Sequence, residues 1–156
     1  LRESIALAIQ EQLAQVGINV SILKVSTDEH TAYQFGDILD ADGVRDYDMI
    51  MAGWEADFPD PSGNLTPLFQ GGNSSNTAAY NNQEVTDLIN RQAQSSDVTE
   101  RNDMMFRALD IIIADTPYIF IYYPVKNIAM NKNYTGVTMN ASWIWNIHFQ
   151  DVRPAA

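Results

Sequence analysis

The nine residues Gly53-Trp54-Glu55-Ala56-Asp57-Phe58-Pro59-Asp60-Pro61 put one indole, three carboxylates and two prolines side by side. Three kinds of chemistry suit that set. Trp54 with Asp57 makes a pair for a cationic group, the carboxylate neutralising the charge and the indole adding an apolar wall and cation–π attraction. Asp57 with Asp60 could be the acid and base of a hydrolase, since two carboxylates held at different pKa values can cleave a glycosidic bond. Residues three apart in a proline-rich turn need not face each other, however. The third account is a tight turn in which Asp side chains bond nearby backbone and Trp54 covers a core edge. Asp60, flanked by prolines, is expected to be solvated.

Other candidates for chemistry are weaker. His30 and His148 are far apart in sequence and form no paired metal spacing. The run Asp37, Asp40, Asp42 and Asp46 lacks the glycine and closing glutamate positions of a calcium loop, so it reads as a solvated acidic face. There is no cysteine, which excludes thiolate metal sites and thiol nucleophiles. No phosphate-binding glycine loop or nucleophile elbow occurs in the sequence. The expectation is a protein without metal or cofactor.

The elements that must position the nine residues follow from periodicity. Tyr47 to Ala52 reads as a short buried strand that must end near Trp54, because Pro59 and Pro61 cannot donate to a ladder. That puts Glu55, Ala56 and Asp57 just past a strand's carboxyl end, where open α/β sheets bind ligands. Upstream, Ile5, Ile9, Leu13 and Val16 form one stripe of a helix over 2–16, with Gly17 at the left-handed cap. A strand over 18–25 comes next. A helix that flows directly into a strand predicts a further strand upstream of Leu1. Residues 28–40 carry a weaker helical pattern through Tyr33, Phe35, Ile38 and Leu39, broken by Gly36, and Asp40 to Gly43 makes a turn.

Downstream, 59–80 reads as a long surface loop with one helical turn at Leu65 to Phe69. Asn82 caps a helix reaching about Gln94, and Asp97 with Glu100 forms a capping box for a second helix that Pro117 stops. Tyr118 to Tyr123 is continuous apolar and aromatic sequence, as in a central strand buried on both faces. Asn127 to Met130 suggests another short strand. The tail with Trp143, Trp145 and Phe149 reads as a loop running into an edge strand. Together these predict one α/β domain over 1–156, a three-layer sandwich with a mainly parallel sheet.

The chain has 156 residues and a net charge of −11, from 9 Lys+Arg against 20 Asp+Glu. One hydrophobic core is affordable at that length. Nucleic acid is excluded as a partner for want of a basic face. No apolar run approaches the roughly 18 residues that a membrane span requires.

The order of motifs resembles a family. Ala8-Ile9-Gln10-Glu11-Gln12-Leu13, then Gly17-Ile18-Asn19-Val20, then Tyr47 to Pro61 (YDMIMAGWEADFPDP) is similar to the extracytoplasmic solute-binding proteins of peptide ABC importers, the oligopeptide- and dipeptide-binding family. The likeness continues through Asn76, Tyr80 to Glu84, Asp87 to Ile89, Glu100-Arg101 and Asp115 to Tyr123. It implies most of the second lobe of a two-lobed periplasmic-binding-protein-like clamp, lacking that lobe's first strand. Asp57 then receives a peptide's α-ammonium, Trp54 lines the cavity, and backbone around Glu55 and Ala56 pairs with the peptide main chain. The implied role is peptide capture, without catalysis, for ABC permease subunits in the membrane. The implied location is extracytoplasmic, in the periplasm or as a cell-surface lipoprotein. A sensor presenting peptide to a signalling partner is an alternative, and some relatives bind nickel complexes or sugars. A sheet lacking a strand also predicts edge pairing between copies of this chain.

Overall fold

Capping chemistry decides where most of the helices begin and end. The computed structural model describes residues 1–36, 42, 45–125, 127–138 and 147–155. The helices are α1 (Arg2–Gln15), α2 (Thr27–Phe35), α3 (Ser62–Phe69), α4 (Gln83–Gln92) and α5 (Val98–Asp115). A two-residue antiparallel ladder joins β1 (Tyr134–Thr135) to β2 (Arg153–Pro154), and a 3-10 turn at Phe149–Asp151 precedes β2. The chain packs as two compact units, Leu1–Gly53 and Trp54–Ala156.

In the first unit α1 closes on Gly17, whose φ of +85° is open to glycine without a Cβ clash. The amides of Gly17 and Ile18 return to the carbonyls of Ala14 and Leu13, the paired bonds of a Schellman end. Gln10 Nε2 donates to the Val20 carbonyl at 2.7 Å, tying α1 to the segment after it. Ser26 and Glu29 form a reciprocal capping box on α2, which Gly36 ends. The His30 ring meets the Met51 carbonyl at 2.9 Å. Arg45 donates to the Gln34 carbonyl and the Tyr47 hydroxyl.

The second unit holds the core. Leu65 and Phe69 of α3, Val85, Leu88 and Ile89 of α4, and Met104, Met105, Ala108 and Ile112 of α5 are buried together. Each large side chain so buried contributes about 1.5–3 kcal/mol relative to exposure. Asn82 accepts from the amides of Glu84 and Val85 to start α4. Asp97 accepts from Thr99 and Glu100 to start α5. The expected box at α5 is half made, because the Glu100 carboxylate takes the Ser95 hydroxyl instead.

Three expectations are corrected. The loop expected over 59–80 contains a two-turn helix, α3, rather than a single turn. Among the described residues no ladder runs through 18–25, 47–52, 118–123 or 127–130. Tyr118 to Tyr123 is not buried on both faces: Ile119 is 78% exposed and Tyr123 92%. A strand is held by neighbours' N–H and C=O groups, and among the described residues no strand flanks this segment. Ile38, Leu39, most of the Asp40 to Gly43 turn, Asp37, Trp143 and Trp145 lie outside the described residues.

Candidate functional site

Trp54, Glu55, Ala56 and Asp57 open the second unit and run into α3. Pro67 sits inside that helix. Having no N–H, it leaves the Gly63 carbonyl one turn back without its helical donor. The Trp54 indole supplies the missing bond, Nε1 donating to the Gly63 oxygen at 2.9 Å. An irregular loop and an interrupted helix thus complete each other. Gly63 also permits close approach: a Cβ there would lie 3.0 Å from the Ala56 Cβ and 3.4 Å from the Phe58 carbonyl oxygen.

Asp60 fixes the other end of the loop. Its Oδ1 accepts the Ser62 amide at 2.9 Å and the Ser62 hydroxyl. Arg101 Nη2 lies 3.1 and 3.0 Å from its two oxygens. The same guanidinium donates through Nε and Nη2 to Gln92 Oε1 at 3.3 and 3.2 Å. The Ser62 hydroxyl, opposed by partial burial and helped by the Ser62 amide and Arg101, holds the Asp60 carboxyl below the usual carboxylate range. The expectation of a solvated Asp60 is therefore corrected, its side chain being 31% exposed. A carboxyl held ionised by donors is also a poor general acid at neutral pH. That argues against Asp60 as the acid of a pair with Asp57.

Asp57 is placed differently. It is exposed, and among the described residues no hydrogen bond or ion pair engages its carboxylate. It borders an open cleft of about 580 Å³ together with Phe58, Ser62, Asn73 and Arg101. Trp54, Glu55 and Ala56 are half-buried and do not border that cleft. The structure therefore brings Asp57 to a surface and gives Trp54 a supporting role its type alone did not announce. Arg101, Gln92 and Gly63 were missed in the sequence. Only Ser62 carried a signal, as the residue two beyond an Asp in an Asp-Pro-Ser turn.

Behind the loop, Asn76 is buried and binds the backbone of Gln70 and Tyr80. Phe69 meets Tyr80 and Tyr118 edge-on. The Tyr80 hydroxyl donates to Asp115 at 2.6 Å. Burial, then that bond, pushes the Tyr80 pKa up to about 12. The Tyr80 and Asn82 bonds hold Asp115 low. Among the described residues no three His, Cys, Asp or Glu side chains gather as metal ligands.

Residues 1–76, which include the whole loop, match the family model of the bacterial extracellular solute-binding proteins, family 5, middle region. Over 141 residues the chain is 30% identical to a probable D,D-dipeptide-binding periplasmic protein of Escherichia coli K12, covering 88% of this chain and 26% of that protein. The match to that family model takes in just under half of the chain. A second relative, the glutathione-binding protein of Escherichia coli K12, is 32% identical over 131 residues, or 81% of this chain and 25% of that one. A crystal structure of a dipeptide binding protein from a Pseudoalteromonas species, in complex with Met-Leu, aligns with a TM-score of 0.70 at 22% identity, over 97% of this chain and 29% of that chain. That likeness shows a binding-protein fold. The chain spans about a quarter of the length of these relatives.

Proposed function

We propose that this chain is part of the substrate-binding component of an ABC importer, and that Asp57 receives the α-ammonium of a bound peptide. One observation carries the reading: of the two aspartates in the loop, Asp60 is neutralised within the fold and Asp57 presents a free carboxylate on a cleft. A carboxylate without an internal partner, held on a braced loop, is suited to a charge-assisted bond with a primary amine. Backbone of Glu55 and Ala56 would pair with the peptide main chain, and Trp54 would brace the cavity wall. The dipeptide and glutathione names of the relatives support an amine-bearing peptide as ligand.

The proposal extends to architecture. The chain is one α/β domain, 1–156, of the second lobe of a two-lobed clamp that closes on ligand by a hinge. Tyr118 to Tyr123 is then a strand of a mainly parallel, three-layer sheet completed by the rest of that lobe. The component works outside the cytoplasm, in the periplasm or as a surface lipoprotein, and hands peptide to permease subunits. It performs no catalysis.

Calorimetry on the two-lobed protein tests the ligand assignment, with Met-Leu and N-acetyl-Met-Leu as probes. Removing one partner of a desolvated ion pair costs about 3–5 kcal/mol, on the order of 100-fold or more in affinity. Asp57→Asn and N-acetylation should each cause such a loss, and together little more than either alone. Equal affinity of Asp57→Asn and wild type for the free dipeptide would refute the assignment.

A further inference from the structure

Resting on that reading of Asp57, we propose that Arg101 is a positioning residue for the ligand-amine anchor, acting through Asp60 to hold the loop that carries Asp57. Asp57 lies midway between two fixed points. Trp54 is bound to Gly63 on one side, and Asp60 is bound to Ser62 and Arg101 on the other. Among the described residues no strand ladder passes through 54–60, so these side-chain bonds contribute to restraining the loop. Arg101 reaches it from the first turns of α5, and its other contact is Gln92 of α4, which is 1% exposed. The guanidinium therefore references the loop to the packed core of α4 and α5. Binding groups must be held within about 0.5 Å of their working geometry to deliver their full interaction.

Charge gives Arg101 a second effect on the same anchor. Asp60 stands three residues from Asp57, and without its cation it would offer a competing negative site to an incoming ammonium. Pairing with Arg101 cancels that site. Arg101 also borders the cleft, and Asp60 in turn cancels its positive charge, which would otherwise pair with Asp57. The pair thus leaves Asp57 as the carboxylate available to a ligand amine, although neither of its members needs to touch the ligand.

The test is the ratio of affinities for Met-Leu and N-acetyl-Met-Leu, measured by calorimetry on the two-lobed protein. Arg101→Met should lower that ratio by about tenfold, the equivalent of one charge-assisted hydrogen bond, and leave the acetylated probe unaffected. Arg101→Lys, which restores a cation beside Asp60, should recover most of the loss. In an Asp57→Asn background, Arg101→Met should change the ratio no further. Should Arg101→Met fail to fold, Asp60→Asn is read by the same criteria, since it keeps an acceptor for Ser62 and removes only the charge. A wild-type ratio in Arg101→Met or Asp60→Asn, or an equal loss for both probes, overturns the positioning role provided Asp57→Asn abolishes the ratio. If Asp57→Asn keeps the wild-type ratio, the anchor itself is misassigned and the positioning role falls with it.

Discussion

Trp54 shows how one side chain can brace a loop from within. Its indole N–H replaces the backbone donor that Pro67 lacks. Trp54→Phe should therefore destabilise the second unit by about 1–3 kcal/mol through the orphaned Gly63 carbonyl, read as a shift in urea midpoint. Pro67→Ala in that background restores a helical N–H and should recover about 1 kcal/mol; no recovery would mean the carbonyl is satisfied in another way. Titration behaviour tests the remaining polar contacts. Asp60 and Asp115 are held below their ordinary value of 3.8, so the stability they contribute is present above that value and lost as pH falls through their lower folded-state values. Asp60→Asn should flatten the fall in urea midpoint on acidification below about pH 4. Tyr80 runs the other way. With its pKa raised from 10.0 to about 12, its contribution is full below pH 10 and fades toward pH 12, and Tyr80→Phe should remove that alkaline dependence.

The helices divide by whether their stabilisation is local. Gly17, Asn82 and Asp97 announced their helix ends in the sequence, because cap and capped amide are near neighbours in the chain. α3 was read as a single helical turn within a loop for the opposite reason. Pro67 and the Gly-Asn-Ser surroundings argue against a helix, and what rescues it is an indole nine residues upstream and the packing of Leu65 and Phe69 on α4 and α5. Arg101 was equally silent, since its partner Asp60 is 41 residues away. The loop carrying Asp57 was legible because its unusual residue types sit together, whereas the bonds that brace it come from distant elements. Core contacts should dominate stability here. Ile112→Ala, at 1% exposure, should cost about 2–5 kcal/mol in chemical denaturation, while Ile113→Ala, exposed on the same helix, should cost less than about 0.5 kcal/mol.

The expected sheet depends on more than local sequence. Segments 18–25, 47–52 and 118–123 have strand-like composition, but a strand exists only when neighbours complete its hydrogen bonds, and the described residues supply none. The apolar, uncharged Ile119 to Tyr123 is left exposed, the kind of segment that recruits another chain. This chain by itself is expected to self-associate through that segment, more strongly at high salt because screening relieves the repulsion of its −11 charge. Ile121→Lys should suppress the association. Light scattering that finds a strict monomer at high concentration and high salt would contradict this. In the two-lobed protein the same segment is proposed to lie within the sheet, and there the account stands on its ligand contact. The most direct measurement is a crystal structure of that protein with Met-Leu bound. The account predicts an Asp57 carboxylate oxygen about 2.7–2.9 Å from the peptide's ammonium nitrogen, with Asp60 still on Arg101; an ammonium held by another group, with Asp57 facing solvent, would contradict it.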